Sequence, residues 1–91
     1  WVIQKKSNVA TYSGAFPTLP AKGYLGLKDT GTQVKYLQMF LKWYGVYKDS
    51  IDGSFGANTE KAVVAFQAEE KLKQDERFGP ACLTRAKTVK K

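Results

Sequence analysis

Asp49, Asp52, Asp75, Glu76 and the single thiol Cys82 are the plainest candidates for chemistry in this 91-residue chain, which contains no histidine. Two carboxyl groups flanking a glycosidic bond can hydrolyse it, one as acid and one as base or nucleophile. A chain this small offers little cleft depth to exclude water, and Asp52 and Asp75 each sit in a turn-forming context that accounts for them. A thiol at a helix N-terminus gains nucleophilicity, yet Cys82 stands where a repeat of the same phrase has Thr, which favours a small packing residue. Without histidine the usual base for a Ser or Cys nucleophile is missing, as is the commonest ligand of catalytic zinc. The expectation is a chain with no catalytic residue, no metal site and no cofactor.

What positions these groups is a repeated phrase. "IDGSFGANTEKAV" (51–63) is answered by "QDERFGPACLTRA" (74–86), so that Asp52, Phe55, Gly56 and Thr59 correspond to Asp75, Phe78, Gly79 and Cys82. Repetition at this scale signals a repeated supersecondary unit. Pro80 after Gly79 suits the first position of a helix with Gly79 as its N-cap, and Gly56 then caps an earlier helix in the same way. In each copy the Asp shapes a tight turn, the Phe plugs the core, and the Gly is expected to let the backbone swing into the helix without conflict at Cβ.

The remaining elements follow from spacing. Thr30 and Gln33 form a T-x-x-Q pattern, which predicts a capping box opening the first helix. Val34, Leu37, Leu41 and Tyr44 share one stripe, with Phe40 beside it, and Gly45 is the expected stop. Trp43 is expected to pack against the preceding linker. The second helix carries Ala62, Val63, Phe66 and Glu70 and extends to about residue 72; the third runs from Pro80 to about Lys87. Residues 7–24 mix Ser, Thr, Gly and Pro without periodicity, and Pro17 and Pro20 make them semi-rigid. Trp1, Val2 and Ile3 read either as the tail of a preceding module or as a strand docking on the core. The predicted fold is all-α: a small three-helix orthogonal bundle behind an extended N-terminal linker. Its divisions are 1–26 (linker or tail of a preceding module), 27–87 (the bundle) and 88–91 (a basic tail).

Charge narrows the partners. The net charge is +7, but residues 29–87 hold nine basic and eight acidic side chains. The excess lies in the flanks and not on a folded reading face, which argues against nucleic-acid binding. No apolar run is long enough to cross a bilayer. One cysteine makes no internal disulfide and leaves the redox compartment open. The chain begins without Met and reads as an excised piece, so a missing leader says nothing about export.

In order and spacing these residues resemble the peptidoglycan-binding domain found beside the catalytic domains of bacterial cell-wall hydrolases such as amidases and endolysins. That family's pattern is G-x-x-V-x-x-L-Q-x-x-L, then D-G-x-F-G-x-x-T-x-x-A-V-x-x-F-Q, then D-G-x-x-G-P-x-T. Gly31, Val34, Leu37, Gln38 and Leu41 match the first part. Asp52, Gly53, Phe55, Gly56, Thr59, Ala62, Val63, Phe66 and Gln67 match the second. In the third, Asp75, Gly79 and Pro80 agree, while Glu76 replaces the usual Gly and Cys82 the usual Thr.

The resemblance implies a non-catalytic, monomeric module that anchors an upstream, covalently linked hydrolase to peptidoglycan outside the cell, with no membrane insertion. The competing class is a protein-interaction or dimerisation domain of a secreted bacterial protein. Peptidoglycan presents N-acetylated sugars and short peptides with free carboxylates, which call for aromatic faces, amides and cationic donors. The expected ligand-binding residues are Tyr47, Asp52, Ser54, Asn58 and Arg77 as polar lining, with Tyr44 as a wall. Lys5, Lys6, Lys90 and Lys91 read first as solvated tails, with nonspecific attraction to anionic wall polymers as the alternative.

Overall fold

The computed structural model describes residues 11–90; Trp1, Val2, Ile3, Lys5, Lys6 and Lys91 lie outside the described residues. Three helices follow one another, α1 (Thr32–Tyr44), α2 (Ala57–Glu69) and α3 (Pro80–Ala86). Among the described residues there are no strands, only isolated bridges that tie Thr11 to Lys90, Leu25 to Phe78 and Thr30 to Ser54.

The apolar stripe of α1 is buried as its spacing requires: Val34, Leu37, Phe40, Leu41 and Tyr44 meet Ala62, Val63 and Phe66 of α2. Phe66 lies at the centre, with its ring 5.4 Å from Phe40, 4.9 Å from Tyr44 and 6.3 Å from Phe78. Each such ring stabilises the fold by about 1.5–3 kcal/mol through burial alone. Gly45 ends α1 in the left-handed conformation, and its N–H closes on the Leu41 carbonyl at 3.0 Å.

Two expectations about helix starts are corrected. The capping box does not form, because Gly31 is the N-cap of α1 and no side chain caps it. Gln33 instead turns back to accept a hydrogen bond from the Thr18 N–H at 2.7 Å, and Thr30 is held in its bridge to Ser54. Gly56 and Gly79 do cap α2 and α3, with closely matched dihedrals of −103°, −166° and −104°, −165°. That conformation is open to any residue, and a Cβ at Gly56 would meet open space. Steric need therefore does not explain these glycines.

The described part of the stretch that reads as a linker forms no helix and turns at Pro20–Gly23, and its aromatic side chains are docked on the bundle. Tyr12 packs 5.4 Å from Trp43 and 5.5 Å from Phe40, and Phe16 sits beside both Tyr12 and Phe40. Trp43 thus meets this segment as its sequence position implies. Further on, Leu25 and Phe78 exchange backbone hydrogen bonds at 3.0 and 2.8 Å, which seats the chain just before α1 against the loop leading into α3.

Candidate functional site

Each repeated loop is organised by a buried glutamine. The Gln38 Nε2 group donates to the Asp52 carboxylate, the Ser54 carbonyl and the Thr59 hydroxyl at 3.0, 3.0 and 3.1 Å. Gln67 Nε2 does the same in the second loop, reaching Asp75, the Arg77 carbonyl and the Cys82 sulfur at 2.9, 2.8 and 3.3 Å. Asp52 and Asp75 each also accept the N–H two residues on. A buried amide with good partners fixes geometry that a solvated one does not, so these glutamines set where the loop side chains point. The sequence signal was present: V-x-x-L-Q in α1 and V-x-x-F-Q in α2 place both glutamines in one register.

Around the first loop two clefts, of about 440 and 180 Å³, meet at Tyr47, Asp49 and Asn58. The larger is completed by Val46, Lys48 and Lys61; the smaller adds Asp52, Ser54 and the first turn of α2. Asn58 Nδ2 donates to Asp49 at 2.7 Å, and that bond, with the Ser50 N–H, holds the Asp49 carboxyl below its ordinary value. The Gln38 amide and then the Ser54 N–H do the same for Asp52. Both groups are therefore carboxylate acceptors at neutral pH, the reverse of what a general acid requires.

The expected binding residues divide into three places. Tyr47, Asp52, Ser54 and Asn58 come together in this groove. Tyr47 contributes little beyond a ring edge, because it is buried: its hydroxyl donates to the Ser50 carbonyl at 2.5 Å and accepts from Gln38 at 3.2 Å. Burial raises its phenol pKa against an opposing pull from the Thr59 hydroxyl, with Asp49 and Asp52 adding to the rise. Tyr44 belongs to the core, with its hydroxyl 2.6 Å from Glu70. Arg77 lies in a different groove, stacked 4.7 Å from the Tyr24 ring. Asp49 and Lys61, which line the first groove, were not among the expected ligand-binding residues; an exposed Asp in a turn and an exposed Lys on α2 gave no distinguishing pattern.

The described residues hold no cluster of three or more His, Cys, Asp or Glu side chains arranged for a metal. No helix among them is long and apolar enough to cross a membrane.

A three-helix module with twin glutamine-centred loops defines a class, and comparison supplies the family. Residues 30–85 match the family described as "Putative peptidoglycan binding domain", and the chain belongs to that family. Similar solved structures include the SleB N-terminal domain, 29% identical with a TM-score of 0.70 over 79% of this chain and 93% of that one. The Burkholderia AP3 phage endolysin is 38% identical with a TM-score of 0.66, covering 69% of this chain and 24% of the endolysin. The L,D-transpeptidase from Xylanimonas cellulosilytica is 32% identical with a TM-score of 0.70, over 78% of this chain and 35% of that structure. The chain thus spans about a quarter to a third of the two enzyme structures. No curated protein sequence matches it.

Proposed function

We propose that the chain is a non-catalytic module that docks on peptidoglycan through the groove at the first turn of α2 and holds an attached cell-wall hydrolase, encoded upstream, near its substrate. The carrying observation is that the family match spans the very loop where Asp49, Asp52, Ser54 and Asn58 converge on one open groove. Carboxylates held ionised accept the N–H of an acetamido group, the Asn58 amide pairs with its carbonyl, and Lys61 faces an anionic substituent. Tethering raises the local concentration of an enzyme at the wall without adding chemistry. The module acts as a monomer outside the cell.

Cosedimentation with purified sacculi tests the groove. Asn58→Ala combined with Ser54→Ala is expected to weaken retention about tenfold, which is the loss of one to two net hydrogen bonds. Both side chains are exposed, so thermal unfolding stays where it is. Undiminished retention in the double variant contradicts the assignment. Self-association without retention supports the dimerisation reading instead.

A further inference from the structure

The second loop carries a groove of its own, of about 260 Å³, and its charges are arranged differently. The Tyr24 ring forms its ledge, with Lys22 Nζ 4.9 Å and the Arg77 guanidinium 4.7 Å from the ring centroid. Lys22 is steadied there by a 2.6 Å ion pair with Asp29. Glu60 from α2, Asp75 and Glu76 from the loop, and Gly26 and Leu27 complete the lining, with the Asp75 carboxylate already engaged by the Gln67 amide and the Arg77 N–H. Ion pairs among the described residues join Lys22 to Asp29 and Arg85 to Glu70; the side chains of Arg77, Glu60 and Glu76 make neither an ion pair nor a hydrogen bond there. Besides Lys22 and Asp75, which already have partners, this small groove thus presents a guanidinium and two carboxylates that are not ion-paired.

The repeat explains how they are presented. Arg77 holds the position that Ser54 holds in the first loop, two residues after the Asp and with its carbonyl bonded to the buried glutamine. That position faces a groove in both copies. The second copy has exchanged a hydroxyl for a cation already desolvated on one side by an aromatic face, a setting that strengthens its pairing with an incoming carboxylate. Glu76 adds a carboxylate in the same turn.

We infer that this second groove binds a peptide end that carries both a free carboxylate and a free amine: Arg77 receives the carboxylate, and Glu60 and Glu76 receive the ammonium. Its volume lies below the ~300–1,000 Å³ usual for drug-sized ligands, a scale that suits one or two amino-acid residues. This rests on the wall-binding reading and deepens it by assigning peptide recognition to the loop before α3, apart from the Asn58 groove.

The test uses N-acetylated alanyl-lysyl-alanine, which bears one ammonium and one carboxylate, titrated into the protein and followed by backbone amide shifts. Amidating its C-terminus or acetylating its lysine is expected to weaken binding about tenfold each, the loss of one charge-assisted pair. Arg77→Gln then no longer distinguishes acid from amide, and Arg77→Lys restores part of the distinction. Glu60→Gln with Glu76→Gln no longer distinguishes amine from acetylated amine. Absence of binding to the wild-type protein, or an Arg77→Gln variant that discriminates as the wild type does, overturns the inference. Sacculus retention that persists in either case leaves the wall-binding reading standing; loss of retention in the wild type defeats that reading separately.

Discussion

Gln38 and Gln67 stand in the same relation to two successive loops, each giving its amide N–H groups to an Asp, a carbonyl and a small side chain, yet only one of them has its oxygen satisfied. Gln38 Oε1 accepts the Gly53 N–H at 2.9 Å. Gln67 Oε1 is buried without a hydrogen-bond partner. The residue equivalent to Gly53 is Glu76, and both have positive φ, 74° and 67°. Glu76 thus adopts the same turn conformation as Gly53, but its N–H makes no bond to the Gln67 oxygen.

The two glutamines should therefore differ in worth. Gln38→Met strands the Gly53 N–H and the acceptors around it and is expected to cost about 2–4 kcal/mol, while Gln67→Met, with no N–H to orphan, costs about 1 kcal/mol less. Urea unfolding of the two variants gives the comparison. Equal losses would mean that the Gly53 bond contributes nothing.

Glu76→Gly should stabilise the fold. A non-glycine residue in the left-handed region carries strain of about 1 kcal/mol or more, and glycine removes it, in part offset by its greater freedom when unfolded. The midpoint of thermal unfolding is expected to rise. By contrast Gly56→Ser should gain only a few tenths of a kcal/mol, through a side-chain cap that Gly56 lacks. A fall in stability in the first variant would contradict the strain argument.

Acid and alkaline limbs of stability have separate causes. Burial pushes Asp75 upward, but the Gln67 amide and the Arg77 N–H outweigh it and lower its pKa from the ordinary 3.8. A lowered carboxyl stabilises the fold above its unfolded value, and that stability fades as pH falls through 3.8 toward the folded value. Asp75→Asn should flatten this limb. Tyr44 is shifted the other way, by burial first and then by Glu70 and Glu69. Its contribution is whole below pH 10 and is lost above it, where the unfolded phenol ionises and the folded one resists. Tyr44→Phe should shrink the alkaline loss in a pH series of unfolding free energies; an unchanged alkaline limb would place that loss elsewhere.

Docking of the N-terminal segment is testable through Tyr12. Tyr12→Ala removes a half-buried ring from Phe16, Phe40 and Trp43 and is expected to cost about 2 kcal/mol. Trp43 fluorescence should shift to longer wavelength as its face becomes wet. Unaltered stability and emission would return residues 11–20 to the role of a spacer.

Much of the fold was legible because it rests on periodicity. Val34, Leu37 and Leu41 mark α1, Ala62, Val63 and Phe66 mark α2, and the Gly79–Pro80 pair marks α3. The parts that were not legible depend on contacts distant in sequence. Gln33 resembles a capping residue until Thr18, fifteen positions away, claims its side chain. Tyr12 and Phe16 follow no period because they dock singly on a finished surface. Of the residues expected to bind, Tyr47, Asp52, Ser54 and Asn58 lie around one loop in the sequence and line one groove in the structure. Arg77 was joined to them on the assumption that loops converge, whereas the repeat sets it in a second groove beside Tyr24. The glutamines match the family pattern in sequence, but their role as buried hubs of the two loops depends on contacts 8 to 21 positions away.

The central claim is that this module holds peptidoglycan without altering it. Incubating the protein with purified sacculi and assaying pellet and supernatant together measures both halves at once. Monomeric protein is expected in the pellet, saturating with added protein, with no release of soluble wall fragments. Protein left wholly in the supernatant at low ionic strength, or fragments released in proportion to the protein added, would contradict that claim.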